Sequence, residues 1–386
     1  MSVDVEVVGS APADGGAPRG RGTWSLSWHG LRTVTVLELR QRVRSTRWKT
    51  ALIVWFLVVG LITLLTTGAF RMLSGDTATT GGVSYGGTVY SIVVGFVLFL
   101  GLLVAPTLSS GAINGDRNAG TLATLQVTLL SPAEIVLGKL AAAWIAALAF
   151  LVASIPFLVW ALLGGGVHWF ALLTTVLMLA LVLGVVCAIG LGFSALVSKT
   201  SGSAVLTYLT IGAITVALPI LFGLLVPVTS TTEEVEVWDI EAGYDWEETT
   251  APECEWQTHE MSVWHSERTW WLLAPNPFVV VADAQPLQGD VETLSNEGNM
   301  LAALQYGVRY ARTGNTGPQD WCSDFVYENG REVRPDSPVE PVQVTDQLVW
   351  PWGLGFDLLL GAAGVVVAVN RLRIPTAELP QGTRVA

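Results

Sequence analysis

Four places in the chain have residue types at spacings that could do chemistry. His259-Glu260 begins as a His-Glu-x-x-His zinc hydrolase motif would, but Val263 stands where the second histidine is required. His265 is too far along to replace it, and the two histidines read as solvated loop residues. A nucleotide cradle needs Gly-x-x-x-x-Gly-Lys-Ser/Thr. None of the three lysines, Lys49, Lys139 and Lys199, stands between a glycine and a hydroxyl residue. Cys254 and Cys322 could pair, and Asp357 is a lone carboxylate in an apolar run. The richest stretch is Asn114 to Lys139, NGDRNAGTLATLQVTLLSPAEIVLGK. Leu122, Leu125 and Leu129 recur at i, i+3, i+7, which predicts a short amphipathic helix that Asp116 can cap. Ser131-Pro132-Ala133-Glu134 is a capping box with proline at the first helical position, so a new helix starts at Pro132. Lys139 is expected to snorkel its ammonium to the membrane headgroups.

The elements that must position these residues are membrane helices. Of 386 residues, 51% are hydrophobic and only 13% charged, about half the share usual in a soluble domain. Mean hydropathy is +0.52. Six segments are apolar over about 20 residues or more, at 50–70, 89–109, 136–162, 169–197, 204–226 and 348–370. The fold class expected is an all-α polytopic membrane protein with six transmembrane helices.

Charge orients it. Residues 227–347 hold 23 of the 32 acids and 5 of the 20 bases, a net of −18 within a chain of net charge −12. Arg32, Arg40, Arg42, Arg44, Arg47 and Lys49 precede the first span, and Arg371, Arg373 and Arg384 follow the last. Arg117, Lys139 and Lys199 flank the same side, while the loop 164–168 has no base and 71–88 only Arg71. Positive-inside then places the N- and C-termini in the cytoplasm and the acidic segment outside, in a multi-pass protein of the cell (plasma) membrane. No basic face tracks phosphates, so nucleic acid is not an expected partner. Residues 1–27 read as a cytoplasmic tail. From 28 to 49, Val36, Leu39 and Val43 lie on one helical face and Arg40, Arg44 and Arg47 on another, as in an amphipathic helix on membrane lipid, or a plain basic anchor.

The stretch Arg117, Gly120-Thr121-Leu122, Leu125, Ser131-Pro132, Glu134-Ile135 and Gly138-Lys139 resembles the signature of the type-2 ABC exporter permeases. In that family an acidic-Arg-x-x-Gly-Thr-Leu stretch precedes a proline break and a Leu-Gly-Lys start to the third span. The resemblance implies that the loop 111–135 docks in a groove of a separate cytoplasmic ABC ATPase. The coupling residues would be Asp116, Arg117, Gly120, Thr121, Leu122, Leu125, Leu129, Pro132, Glu134 and Lys139. It also implies that ATP and Mg sit on that partner with no cofactor on this chain, and that a second permease copy or paralogue completes the pathway. No residue here would be catalytic.

The segment 227–347 carries seven tryptophans and reads as a folded external module. Val235 and Val237 alternate with acids like a strand, Met300, Leu304 and Val308 mark an amphipathic helix, and Thr269–Ala284 is an interfacial or re-entrant segment. Outside the cell, Cys254 and Cys322 are expected to form a disulfide rather than remain two thiols; Cys187 is an apolar filler. Asp357 either faces a translocation path or lies near the outer interface, snorkelling or paired with a base such as Arg71. Gly353, Gly355, Gly361 and Gly364 give the sixth span, 348–370, a surface for close packing, and 371–386 is a second cytoplasmic tail. The reading is an ATP-driven exporter permease; the alternative is a structural or signalling membrane protein whose external module binds a ligand, lipid or cell-wall component.

Overall fold

The computed structural model describes residues 22–74, 85–120, 130–165, 167–241, 244, 254–286, 299–314, 317–322, 327–328, 331–332, 337–339, 344 and 347–373. In chain order the elements are α1 (Trp28–Arg44), α2 (Thr46–Ser74), α3 (Tyr85–Ser109), α4 (Asn114–Asn118), α5 (Pro132–Leu163), α6 (Trp169–Leu196), α7 (Thr200–Gly212) and α8 (Leu218–Leu225). A π-helical segment, Ala213–Ala217, joins α7 to α8. Then come β1 (Thr231–Ile240), β2 (Cys254–Val263), α9 (Pro277–Asp283), α10 (Met300–Thr313), β3 (Gln319–Asp320), β4 (Tyr327–Glu328), β5 (Arg331–Glu332) and α11 (Trp350–Leu372).

Six helices are long and apolar enough to cross a bilayer: Thr46–Met72, Gly86–Asn118, Pro132–Leu163, Trp169–Leu196, Thr200–Thr229 and Trp350–Leu372. They match the six apolar runs, with the first, second, third and fifth extended at both ends. Their core combines small and branched side chains, among them Val93, Val94, Ala143, Ala147, Leu179, Val182 and Val186, with Trp55, Tyr90 and Phe150. α6 is the hub, packed against α3, α5, α7 and α11. Where α6 meets α11 the glycines set the spacing. A Cβ on Gly192 would come within 2.7 Å of the Gly364 Cα, and one on Gly364 within 2.8 Å of the Ala188 carbonyl. Gly361 rests on Val185 and Ala188. Such contacts let backbones approach closely, the main source of helix association in an apolar solvent. Gly355 faces open space and is not part of that surface. Cys187 is fully buried, as an apolar filler would be.

One end of the bundle is closed by a second cluster, Ile113, Ala133, Ile135, Val136, Leu191, Ala195, Ala368, Val369 and Leu372. Thr23 and Ser25, just before α1, dock there too, so α1 and the last turn of α11 share an end. We refer to it as the α1 end.

The opposite end carries the hairpin. β1 and β2 pair antiparallel with Trp238 opposite Trp256 and Ile240 opposite Cys254. β3 adds parallel to β1, with Val237 opposite Gln319. This register brings Cys254 and Cys322 together, and their sulfurs are bonded with Cα atoms 6.2 Å apart. A cross-link spanning 68 residues stabilises by roughly 4 kcal/mol in the chain-entropy picture. His265 fastens the base of the hairpin. Its Nδ1 lies 2.7 Å from Glu267 Oε1, and its Nε2 lies 2.7 Å from Thr231 Oγ1 and 3.1 Å from Glu233 Oε1. The Thr231 hydroxyl, and after it His265, hold the Glu233 carboxyl below its ordinary pKa. His265 is thus a buried structural residue rather than a solvated one.

The stretch Thr269–Ala284 forms a 3-10 turn at Trp270–Leu272 and then α9, in which Pro277 and Val279 to Asp283 are buried. α9 tucks between α3, α6, α10 and α11. Asp283 fixes it there. Its Oδ1 pairs with Arg309 Nε at 2.5 Å, and its Oδ2 accepts the N–H groups of Val349 and Trp350, both at 2.7 Å. The carboxylate therefore satisfies orphan donors at the start of α11 while neutralising a buried guanidinium. α10 buries Leu301, Ala302, Gln305, Val308 and Arg309 rather than Met300, which is exposed.

Candidate functional site

The capping box expected at Ser131 forms. Glu134 N–H donates to Ser131 Oγ at 3.1 Å, and Ser131 N–H donates to Glu134 Oε2 at 2.8 Å. The same carboxylate also takes a bond from far away in sequence. Ser27 N–H, at the start of α1, donates to Glu134 Oε1 at 2.7 Å, and Ser131 Oγ donates to the Ser25 carbonyl at 2.5 Å. One buried glutamate thus joins the first turns of α1 and α5, where the helix dipoles favour an anion.

From that joint α1 lies along α5. A Cβ on Gly30 would come 2.8 Å from Glu134 Cδ, and one on Gly138 would come 2.7 Å from Val34 Cβ, so both glycines are contact points. Thr35 Oγ1 donates to the Gly138 carbonyl at 3.2 Å. One turn on, Lys139 pairs with Glu38 of α1 and, at 2.5 Å, with Asp116 Oδ2 of α4. Arg42 then reaches across to α3, donating to the Leu108 carbonyl at 2.9 Å in the last turn of that helix. Burial lowers the Arg42 pKa from its ordinary value, and the Glu38 carboxylate acts against that shift.

Lys139 was expected at the headgroups. It is instead 1% exposed, held between two carboxylates. An ammonium can be buried when it is paired this closely, and snorkelling is then unnecessary. The face that α1 turns to the bundle is also not its apolar stripe. Val43 is exposed, and the packed positions are Gly30, Val34, Glu38 and Arg42. Glu38 and Arg42 escaped sequence reasoning. The available signal was that Glu38 is the sole acid among the arginines of residues 28–49.

α4 is anchored to α6. Ser194 Oγ accepts the N–H groups of Ile113 and Asn114 at 3.0 and 3.2 Å. Gly190 leaves room for Ser109, with whose hydroxyl any Cβ there would collide. Arg117 and Gly120 are exposed, and Gly120 has φ +71°, a left-handed turn out of α4. Thr121, Leu122, Leu125 and Leu129, and the helix expected there, lie outside the described residues. Pro132 is the first residue of α5. The structure therefore brings Asp116 and Lys139 into one cluster with Glu38, sets Glu134 at the neighbouring joint between α1 and α5, and leaves Arg117 and Gly120 exposed.

Asp357 is at the other end, in α11, and is 4% exposed. It makes no ion pair among the described residues. Arg71 is not its partner; it lines a separate cavity with Thr67, Val89 and Trp160. Among the described residues no cluster of three or more His, Cys, Asp or Glu could hold a metal.

Six membrane-length helices and a cluster tying an N-terminal helix to the ends of the second and third spans define a multi-pass α-helical membrane protein. Residues 32–260 match the family model described as ABC-2 family transporter protein, and the chain belongs to this family. It is an ABC transporter permease, a membrane component of transport. No curated protein matches the chain.

Proposed function

We propose that this permease works in an exporter of the plasma membrane, driven by a separate cytoplasmic ABC ATPase that docks on the α1 end. The observation that carries this reading is the Glu38–Lys139–Asp116 cluster. It joins α1, α4 at the end of the second span and the start of the third span. Together with Arg42 on Leu108 and Glu134 on Ser27, it makes these elements one body. A push delivered to the loop 111–135 is then transmitted into two spans at once. The exposed Arg117 and the left-handed Gly120 direct the chain out of α4 towards residues 121–129, which supply the apolar docking face. ATP and Mg belong to the partner, since no lysine of this chain stands in a phosphate cradle. A second permease copy or paralogue completes the pathway, and Asp357 contributes a polar group to it. The disulfide-bonded module caps the outward exit.

Leu122→Asp or Leu125→Asp should abolish co-purification of the ATPase while the protein still inserts. A charge in a small apolar docking face costs about 2–4 kcal/mol of binding. Pull-down from membranes, with the wild type as reference, checks it. Retention of the ATPase by both variants removes the coupling role from this loop.

A further inference from the structure

The fifth span is interrupted halfway. Ala213–Ala217 is π-helical, and Pro219 follows two residues later. Proline has no N–H, so it leaves the carbonyl four residues back, that of Thr215, without its α-helical donor. An uncovered carbonyl inside an apolar bundle is costly. The side-chain amide of Asn276 takes the place of the missing donor, with Nδ2 3.2 Å from the Thr215 oxygen. The other end of the same amide is also used. Asn276 Oδ1 accepts the Phe278 N–H at 2.9 Å, capping α9, with Pro277 at the first helical position. Asn276 is 7% exposed.

We propose that Asn276 is a latch that holds the bend of the fifth span to α9, so that α8 and α9 move together. α8 buries none of its own residues, and its contacts to the rest of the hairpin end come through the 3-10 turn 270–272 that leads into Asn276. On the far side of α9, Asp283 grips the first turn of α11. The fifth and sixth spans are thereby connected through one amide and one carboxylate. A displacement of α8 reaches α11 through α9 as long as the Asn276–Thr215 bond survives. This inference does not depend on the transport direction or on the ATPase.

Hydrogen–deuterium exchange on the full chain in lipid nanodiscs tests it. Asn276→Ala should speed exchange roughly tenfold at both 220–225 and 278–283, the effect of removing one buried bond at each place. Asn276→Asp keeps the acceptor for Phe278 and loses the donor, so it should speed exchange at 220–225 alone. Pro219→Ala supplies a backbone N–H at the break. Added to Asn276→Ala, it should restore protection at 220–225 and leave 278–283 fast. Wild-type protection of 220–225 in Asn276→Ala overturns the latch. So does failure of Pro219→Ala to restore it, or an acceleration spread evenly over all six spans.

Discussion

Lys139→Met is expected to loosen the whole α1 end. It removes the cation between Glu38 and Asp116, leaving two carboxylates turned towards one position. Breaking a buried pair typically costs 3–5 kcal/mol. The carboxylates here are 18% and 29% exposed, so water recovers part of that, and about 3 kcal/mol is the figure to test. Lys139→Arg should retain most of the stability. Adding Glu38→Gln to Lys139→Met should return part of the loss, because the two sites are directly coupled. Thermal unfolding of wild type, Lys139→Met, Lys139→Arg, Glu38→Gln and the double variant in one detergent measures this. If the double variant is as unstable as the sum of its parts, the pair is not the source of the effect.

At the other end the largest effect belongs to Asp283→Ala. The change removes the carboxylate that pairs with the Arg309 guanidinium, only 3% exposed, leaves its bond to the residue-283 carbonyl, and strips the acceptor from two N–H groups at the start of α11. Together these losses amount to about 3–5 kcal/mol. Asp283→Asn keeps an acceptor for the backbone and loses the charge, so it should fall between wild type and alanine. Proteolysis should cut Asp283→Ala in residues 266–313 before any membrane span. Undiminished protection there would show that α9 is held by apolar packing alone.

These two clusters also show what a sequence can and cannot disclose. The spans were legible because twenty apolar residues in a row have few alternatives. The capping box at Ser131 was legible because its partners are three residues apart. The disulfide partners stood out because Cys254 and Cys322 are the two cysteines of one segment. Lys139 was misplaced because its partners are 23 and 101 residues away, and no local pattern announces them. The packed face of α1 was missed for a related reason. It adheres through a glycine, one valine and hydrogen bonds from charged side chains, whereas periodicity arguments look for apolar stripes. Asp283 left a readable trace, as a lone acid ending an apolar stretch whose partner Arg309 follows the buried Val308. Asn276 left another in the dipeptide Asn276-Pro277, a helix start, but its contact with Thr215 depends on a proline in a different span.

The proposed docking of an ATPase at the α1 end requires that end to face the compartment that holds ATP. Single cysteines at Asn118 in α4 and at Glu260 in β2, both exposed, report on the two ends. They are introduced with Cys187→Ala and with the native disulfide kept oxidised. A membrane-impermeant maleimide added to intact cells should label Glu260→Cys at once and Asn118→Cys only after permeabilisation. Labelling of Asn118→Cys on intact cells, with Glu260→Cys protected, would put the Lys139 cluster outside and contradict the account.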